Sequence, residues 1–373
     1  MTELPNLEIL AKRLGAVDET ILAIFARRME LAAQVERYKR SQGQPIIREE
    51  IEDARVMKAA QEWAKKYGVR SHFAGALMYF SILQSCHEQL RLLQGDHSLE
   101  KTPRDRKQAL LDLTERVAPW YEEKFLGGTF STDSYLRFER EVLDRIVENM
   151  SKDERERALD LGCATGIQAA RLAARFDRVV GYDISPHMIR EAKKKSIGNA
   201  EFFVHDLDEG NLSFPQTSVS FAALSMGTGS DIREIRKLLA NLHDVLSPGG
   251  KLFASFYNLD ALVYKQFLPW PLGLAAQINL DEECLDVHLD TETGPEVFSV
   301  FARPYTFADV ESMVSDQHFV IDEMYTYPTV SSVLPGNLLV EGLLGEEIEK
   351  IDRGLSNEGN EHGAYTIVVA TRV

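Results

Sequence analysis

Ala158-Leu-Asp-Leu-Gly-Cys-Ala-Thr-Gly166 decides how this chain reads. The apolar run Ala158 to Leu161 predicts a buried strand running directly into a tight turn with Gly162 and Gly166, and a helix beginning near Ile167. Glycine carries no Cβ, so at such a turn the backbone can approach a ligand closely. A strand, turn and helix of this kind cradle a nucleotide-like cofactor.

Outward from that turn, the next apolar run, Arg178-Val-Val-Gly-Tyr-Asp183, ends in a carboxylate. It lies about 20 residues on, the spacing at which an acid receives the hydroxyls of a ribose. The third run, Ala200 to Val204, ends in His205-Asp206. An acid there suits the exocyclic amine of adenine better than a phosphate. A dinucleotide-binding dehydrogenase competes for this pattern, but the turn lacks the full G-x-G-x-x-G and the third glycine that closes helix against strand.

The three strand ends, in this order, resemble the class I S-adenosylmethionine (SAM) methyltransferases over about residues 110–373. The resemblance implies SAM as cofactor. It implies Asp160, Gly162, Cys163, Ala164 and Gly166 around the first turn, Asp183 and Ile184 after the second strand, Asp206 and Leu207 after the third, and Ser225 after the fourth. Ala164 stands where many members have glycine, which narrows the turn without closing it. Cys163 reads as a small filler rather than a nucleophile.

The α/β alternation continues with a strand at 219–225, a helix at 231–245, the turn Ser247-Pro-Gly-Gly250 and a strand at 251–257. A helix at 307–316 and strands near 319–325 and 365–371 complete an expected seven-stranded Rossmann-like sheet with an antiparallel final pair. Residues 110–156 are expected to form a helical lid, with Tyr121 touching the ligand, and 258–306 an acceptor-binding insertion at a strand's carboxyl end. Arg303 with Tyr305, and Tyr257 with Asn258, suggest a grip on a small carboxylate-bearing acceptor. The fourth strand ends in Leu224-Ser-Met-Gly-Thr-Gly229. The Asp/Asn-Pro-Pro-Tyr/Phe of methyltransferases acting on nucleobase amino groups is absent there, so that chemistry is not expected.

A second module stands in front. Residues 6–41 carry apolar positions in steps of three and four: Leu7, Leu10, Leu14, Val17, Ile21, Ile24, Leu31, Val35 and Tyr38. A helix of that length spans roughly 50 Å at 1.5 Å per residue, so a partner chain is expected along it. Arg28 falls on this seam, and Lys39, eleven residues later, returns to almost the same angle. A buried cation must be paired or bind a ligand, and two on one face suggest a dianion. After Gly43-Gln-Pro45, helices are expected at 49–67 and 71–93, the last placing Ser85 and Gln89 one turn apart.

Residues 6–93 resemble the all-α chorismate mutases, three-helix subunits intertwined as homodimers that rearrange chorismate to prephenate. The resemblance implies that Arg28, Lys39, Glu52, Ser85 and Gln89 hold the carboxylates, ether oxygen and hydroxyl of a chorismate-like dicarboxylate. Ala11 replaces the arginine that reaches into the partner's site, and Ile51 replaces another substrate-binding arginine. Arg48, where aspartate is common, lies one turn before Ile51 and can partly replace it.

The expected organisation is therefore a chorismate mutase-like domain at 1–95, a linker at 96–109 marked by Gly95-Asp-His-Ser-Leu-Glu-Lys-Thr-Pro103, and a methyltransferase domain at 110–373. The expected function is SAM-dependent methylation of a small acceptor tied to chorismate and prephenate. One alternative is an enzyme that carboxylates SAM with prephenate; another makes the front domain a dimerisation or aromatic-ligand sensing module. A net charge of −16 argues against nucleic acid or anionic lipid as partner. The three scattered cysteines suggest neither a disulfide framework nor a metal site. Without a membrane-length apolar run, and with a start unlike a signal peptide, the protein is expected to be cytoplasmic.

Overall fold

The computed structural model describes residues 7–45, 49–94, 103–124, 130–212, 214–265, 276–291, 294–334 and 343–373. The chain divides into two compact units, Met1–Glu100 with His288–Val297, and Lys101–Val287 with Phe298–Val373.

The front unit is helical. Helices span Leu7–Ser41, Glu49–Lys58 and Ser71–Gln94, the second continuing through a π-turn at Ala59–Trp63 to Tyr67. Gly68, at φ +65°, ends it in the left-handed region that glycine enters without strain. Ala59, Ala64, Ile82, Leu83 and Cys86 form its buried interior. The seam on the first helix is open to solvent in the single chain: Leu7, Leu14, Ile21, Ile24, Leu31 and Tyr38 are all exposed.

The second unit is built on a seven-stranded sheet of order β3-β2-β1-β4-β5-β10-β9. The strands are β1 Arg157–Leu161, β2 Arg178–Asp183, β3 Ala200–Val204, β4 Val219–Leu224, β5 Leu246–Tyr257, β9 Phe319–Tyr327 and β10 Tyr365–Arg372. β1 to β5 pair in parallel, and β10 runs antiparallel between β5 and β9. Central parallel strands are covered on both faces, which is why β1 and β4 read as largely apolar runs without alternation. Alternate side chains feed two cores. Leu159, Leu161, Ala222, Leu224, Leu252 and Phe256 meet the helices Ile235–Val245 and Phe307–Ser315. Ala158, Phe221, Ala223 and Phe253 meet the helix Phe130–Asn149 on the other face.

Ile235, Leu238, Leu239, Leu242 and Val245 are buried at helical spacing. Removing the bulk of one such leucine typically costs about 2–5 kcal/mol. The second helix of the sheet starts because Ser185 accepts the Met188 amide and Pro186 takes the first helical position, where no N–H is needed.

Several details differ from the sequence expectations. Residues 103–109, read as linker, open the helix Pro103–Val117, while 95–102 lie outside the described residues. The helix expected from Asp231 is two pieces, Thr228–Asp231 and Ile235–Val245. The turn Ser247 to Gly250 lies within β5: Leu246 pairs with Val219, and pairing resumes at Lys251 with Phe221. The insertion holds three strands, β6 Ala276–Asn279, β7 Cys284–Thr291 and β8 Gly294–Phe301. A helix at Leu343–Asn357 separates β9 from β10, where only a final strand pair was expected. Among the described residues, no helix is long and apolar enough to cross a membrane.

Candidate functional sites

The turn after β1 is held open by its backbone. Gly162 and Cys163 donate their amides to the Tyr182 carbonyl at 2.8 and 2.9 Å, and Gly166 donates to Cys163 at 2.7 Å. Gly162 lies at φ +74°, and a Cβ there would stand 2.7 Å from Cγ2 of Thr228. Gly166, at φ +79°, and Gly181 both lie against the Phe202 ring, which a Cβ would meet at 3.0 and 2.7 Å. Ala164 adopts φ +43°, a left-handed conformation costing an ordinary residue roughly 1–2 kcal/mol. Its amide donates to Oδ2 of Asp183 at 2.9 Å. The Ser185 amide donates to Oδ1 of the same carboxylate at 2.8 Å.

Carboxyl groups gather under this turn. Asp160 is 2% exposed, and its Oδ2 has no hydrogen-bond partner among the described residues. Burial, with Asp183 and Glu139 nearby, pushes its carboxyl up to about 7. Burial also raises Asp183 and Glu139. A buried anion without a counter-charge is unfavourable. A cationic group entering beside these carboxyls would reverse that.

Asp206 accepts the Asp208 amide at 3.0 Å and forms an ion pair with Lys107 of the helix Pro103–Val117. Leu207 is buried beside it, and Ile184 lies between Asp183 and Ser185 at the end of β2. Ser225 follows β4, and its hydroxyl is buried without a partner among the described residues. The four strand ends thus bring together the residues that the sequence singled out. Orphaned polar atoms on Asp160 and Ser225, a glycine cradle and an acidic floor suit a nucleoside carrying a cationic sulfonium.

Beyond β4 and β5 lies a tyrosine cluster. Burial pushes the Tyr121 hydroxyl up to about 12, with Asp183 and Asp231 adding to the effect. Tyr257 is raised further by burial, with Asp231, Tyr365, Tyr264 and Tyr121 around it. Burial pushes the Asp231 carboxyl up to about 8 against a hydrogen bond from Tyr257, and its Oδ1 has no partner among the described residues.

Two expected acceptor residues are engaged elsewhere. Arg303 pairs bidentately with Glu283 at 2.7 Å on both arms, and its guanidinium lies 5.5 Å from the Phe301 ring centre. Asn258 donates both amide hydrogens to the carbonyls of Glu361 and Gly363, at 2.8 and 2.7 Å, tying β5 to the segment before β10. These bonds occupy the Arg303 guanidinium and the Asn258 amide hydrogens that were expected to grip a carboxylate. Tyr305 donates its amide to the Tyr257 carbonyl and stacks edge-on against Phe256.

Sequence reasoning missed Glu139, Asp231 and Lys107. Glu139 was open to detection as a carboxylate four residues after Tyr135 on the apolar face of its helix.

In the front unit, Nε of Arg28 donates to the Ser81 carbonyl at 3.0 Å, and the Ser85 hydroxyl donates to that same carbonyl at 2.9 Å. Gln89 donates to the Ser85 carbonyl at 3.0 Å, leaving its Oε1 without a partner among the described residues. Cys86 donates to Glu52 at 3.6 Å. Burial and Glu52 push the Cys86 thiol up to about 12, while Lys39 and Arg28 oppose the rise. Arg28, Lys39, Glu52, Ser85 and Gln89 therefore share one locality. Arg48 lies outside the described residues.

Residues 158–250 match the methyltransferase domain family, and residues 10–90 match chorismate mutase type II. The demethylmenaquinone methyltransferase of Chlorobaculum parvum is 31% identical over 219 residues, 55% of this chain and 87% of that protein. The chain belongs to the class I SAM-dependent methyltransferases. This methyltransferase carries a chorismate mutase type II domain at its front. It is also 37% identical to the demethylmenaquinone methyltransferase of Clavibacter sepedonicus over 166 residues, 42% of this chain and 67% of that one. A bifunctional biotin-biosynthesis protein of Cellvibrio japonicus is 29% identical over 48% of this chain, which spans only 37% of that protein. Among solved structures, a DhpI–SAH complex shares 15% identity at a TM-score of 0.46, covering 73% of the methyltransferase and 98% of its own chain.

Proposed function

We propose that SAM lies across the carboxyl ends of β1 to β4 and that the methyl acceptor is a small protic molecule of chorismate-derived metabolism. The observation carrying this reading is Asp183, whose two oxygens are pinned by the Ala164 and Ser185 amides at the rim of the glycine turn. Asp183 receives the ribose hydroxyls, and Asp206 with Leu207 borders the adenine. Cys163, Ala164 and Ile184 line the walls, and Ser225 closes the far side. Asp160 and Glu139 oppose the cofactor's positive charge. Bound SAM supplies an electrophilic methyl carbon, and alignment of the acceptor against it accounts for much of the acceleration.

With Arg303 and Asn258 engaged, the polar side chains clustered beyond β4 and β5 are Tyr121, Tyr257, Tyr264, Tyr365 and Asp231. Tyrosines beside a carboxyl favour a neutral protic acceptor over the carboxylate-bearing one. Asp231, hydrogen-bonded by Tyr257, is placed to hold the acceptor's proton. In the front domain, Arg28, Lys39, Glu52, Ser85 and Gln89 bind a chorismate-like dicarboxylate and turn it over weakly, Ala11 leaving one carboxylate without its cross-subunit anchor. The exposed seam supports a homodimer.

Calorimetry with SAM tests the cofactor placement. Asp183→Ala removes charge-assisted bonds and weakens binding by about 1.5–3 kcal/mol; unchanged affinity overturns the placement. Incubation with SAM and chorismate, followed by mass analysis, separates a methylated acceptor from a carboxylated SAM. No chorismate turnover in a folded dimer leaves the front domain as a dimerisation or sensing module.

A further inference from the structure

We propose that Arg55 takes over the carboxylate anchor missing at Ile51, so that the front site is completed by a cation one helical turn further on. The inference rests on reading that domain as the binder of a chorismate-like dicarboxylate.

Arg55 follows Ile51 by four residues and Glu52 by three on the helix Glu49–Lys58, which puts all three on one face. Four residues displace its Cα by about 6 Å along the axis. Side chains of a helix lean towards its N-terminus, so Arg55 leans back towards the turn that Ile51 occupies. Ile51 itself is 45% exposed and offers no polar group.

The electrostatics agree with this register. Burial lowers the Arg28 guanidinium, and the charge on Arg55 lowers it further. The exposed Arg55 therefore acts electrostatically on Arg28. Cys86 senses Glu52, Lys39 and Arg28 together. Arg55 makes no hydrogen bond or ion pair among the described residues. Arg55 thus adds a positive charge to the locality that already holds Arg28, Lys39 and Glu52, which suits an anionic ligand. Gln89, only 4% exposed, keeps an oxygen without a partner among the described residues, ready for a ligand hydroxyl. A guanidinium takes a carboxylate through two parallel bonds, which a lysine in its place cannot do.

The test uses the full chain, with prephenate binding by calorimetry and chorismate loss by absorbance. Arg55→Ala is expected to weaken prephenate binding and raise KM by about tenfold or more, with melting temperature and dimer unchanged. Arg55→Lys recovers part of the loss. The double variant Ile51→Arg, Arg55→Ala, which returns the cation to the earlier turn, restores binding. Wild-type affinity in Arg55→Ala overturns the proposal, and so does failure of the relocated arginine to restore binding in a folded dimer. A wild-type protein that neither binds prephenate nor consumes chorismate refutes the reading of the domain itself, and the proposal with it.

Discussion

Glu139 accepts the backbone amide of Met226 across 2.7 Å, joining the helix Phe130–Asn149 to the loop that leaves β4. The same carboxylate oxygen accepts the Tyr135 hydroxyl at 2.7 Å. Glu139→Ala strands both donors in a dry interior, where each unsatisfied group costs about 1–3 kcal/mol. The variant should unfold at lower denaturant concentration and lose SAM affinity, because the loop carrying Ser225 is no longer tied down. Wild-type values in both measurements would show that the contact holds nothing in place.

Asp160 gives the stability of the fold a defined pH dependence. Its carboxyl keeps a proton up to about pH 7 in the native state, whereas an unfolded aspartate ionises near ~4. Between those values the native state binds more protons, so stability falls as pH rises, by up to about 1.4 kcal/mol per unit. The contribution is fully present below the unfolded pKa and is lost as pH passes through the native one. Denaturant titrations across that window should show the slope in the wild type and a flatter curve for Asp160→Asn. Equal slopes would contradict the assignment.

Gly162→Ala imposes both a left-handed alanine and a contact of 2.7 Å with Cγ2 of Thr228. The backbone strain alone costs roughly 1–2 kcal/mol. Adding Thr228→Ser removes that methyl and leaves the strain, so stability and SAM binding should return in part. Full recovery, or none, would mean that only one of the two effects operates.

Ile21→Asp tests the apolar seam of the front helix. If two chains pack along it, the substitution buries an unpaired charge, and light scattering should report monomers or unfolded protein. An intact dimer for the variant, or a monomeric wild type, would count against packing along this face.

Much of the cofactor region was legible because it depends on local order. Asp160 and Asp183 lie at the carboxyl ends of β1 and β2, and Asp206 two residues past β3; such strands appear as largely apolar runs ended by a turn or an acid. Long-range pairing was not legible. Nothing in the spacing of Arg303 shows that Glu283 engages it. Nor does Lys107 announce its pairing with Asp206. The helix Leu343–Asn357 escaped notice because Gly345 and Gly354 dilute its pattern and its buried face includes Asp352, which accepts the amides of Thr329, Val330 and Ser331. A carboxylate in a buried stripe reads as solvent-facing until those partners are known. In the front unit, the helices and most of the clustered polar groups were readable from periodicity and family resemblance. Arg55 was not, because an arginine one turn past the expected position looks like ordinary helix surface.

The packing of Phe202 beneath Gly166 and Gly181 makes three positions interdependent. Volume added at residue 181 has to come out of the ring at 202, or that ring presses on the turn at 166 and shifts the loop around the cofactor. Substitutions at these sites in related chains should therefore occur together, a larger residue on β2 accompanied by a smaller one on β3. A chain that combines the glycine turn with a bulky residue at position 181 and phenylalanine at 202 would be expected to have lost its grip on a nucleoside, even with every acid in place.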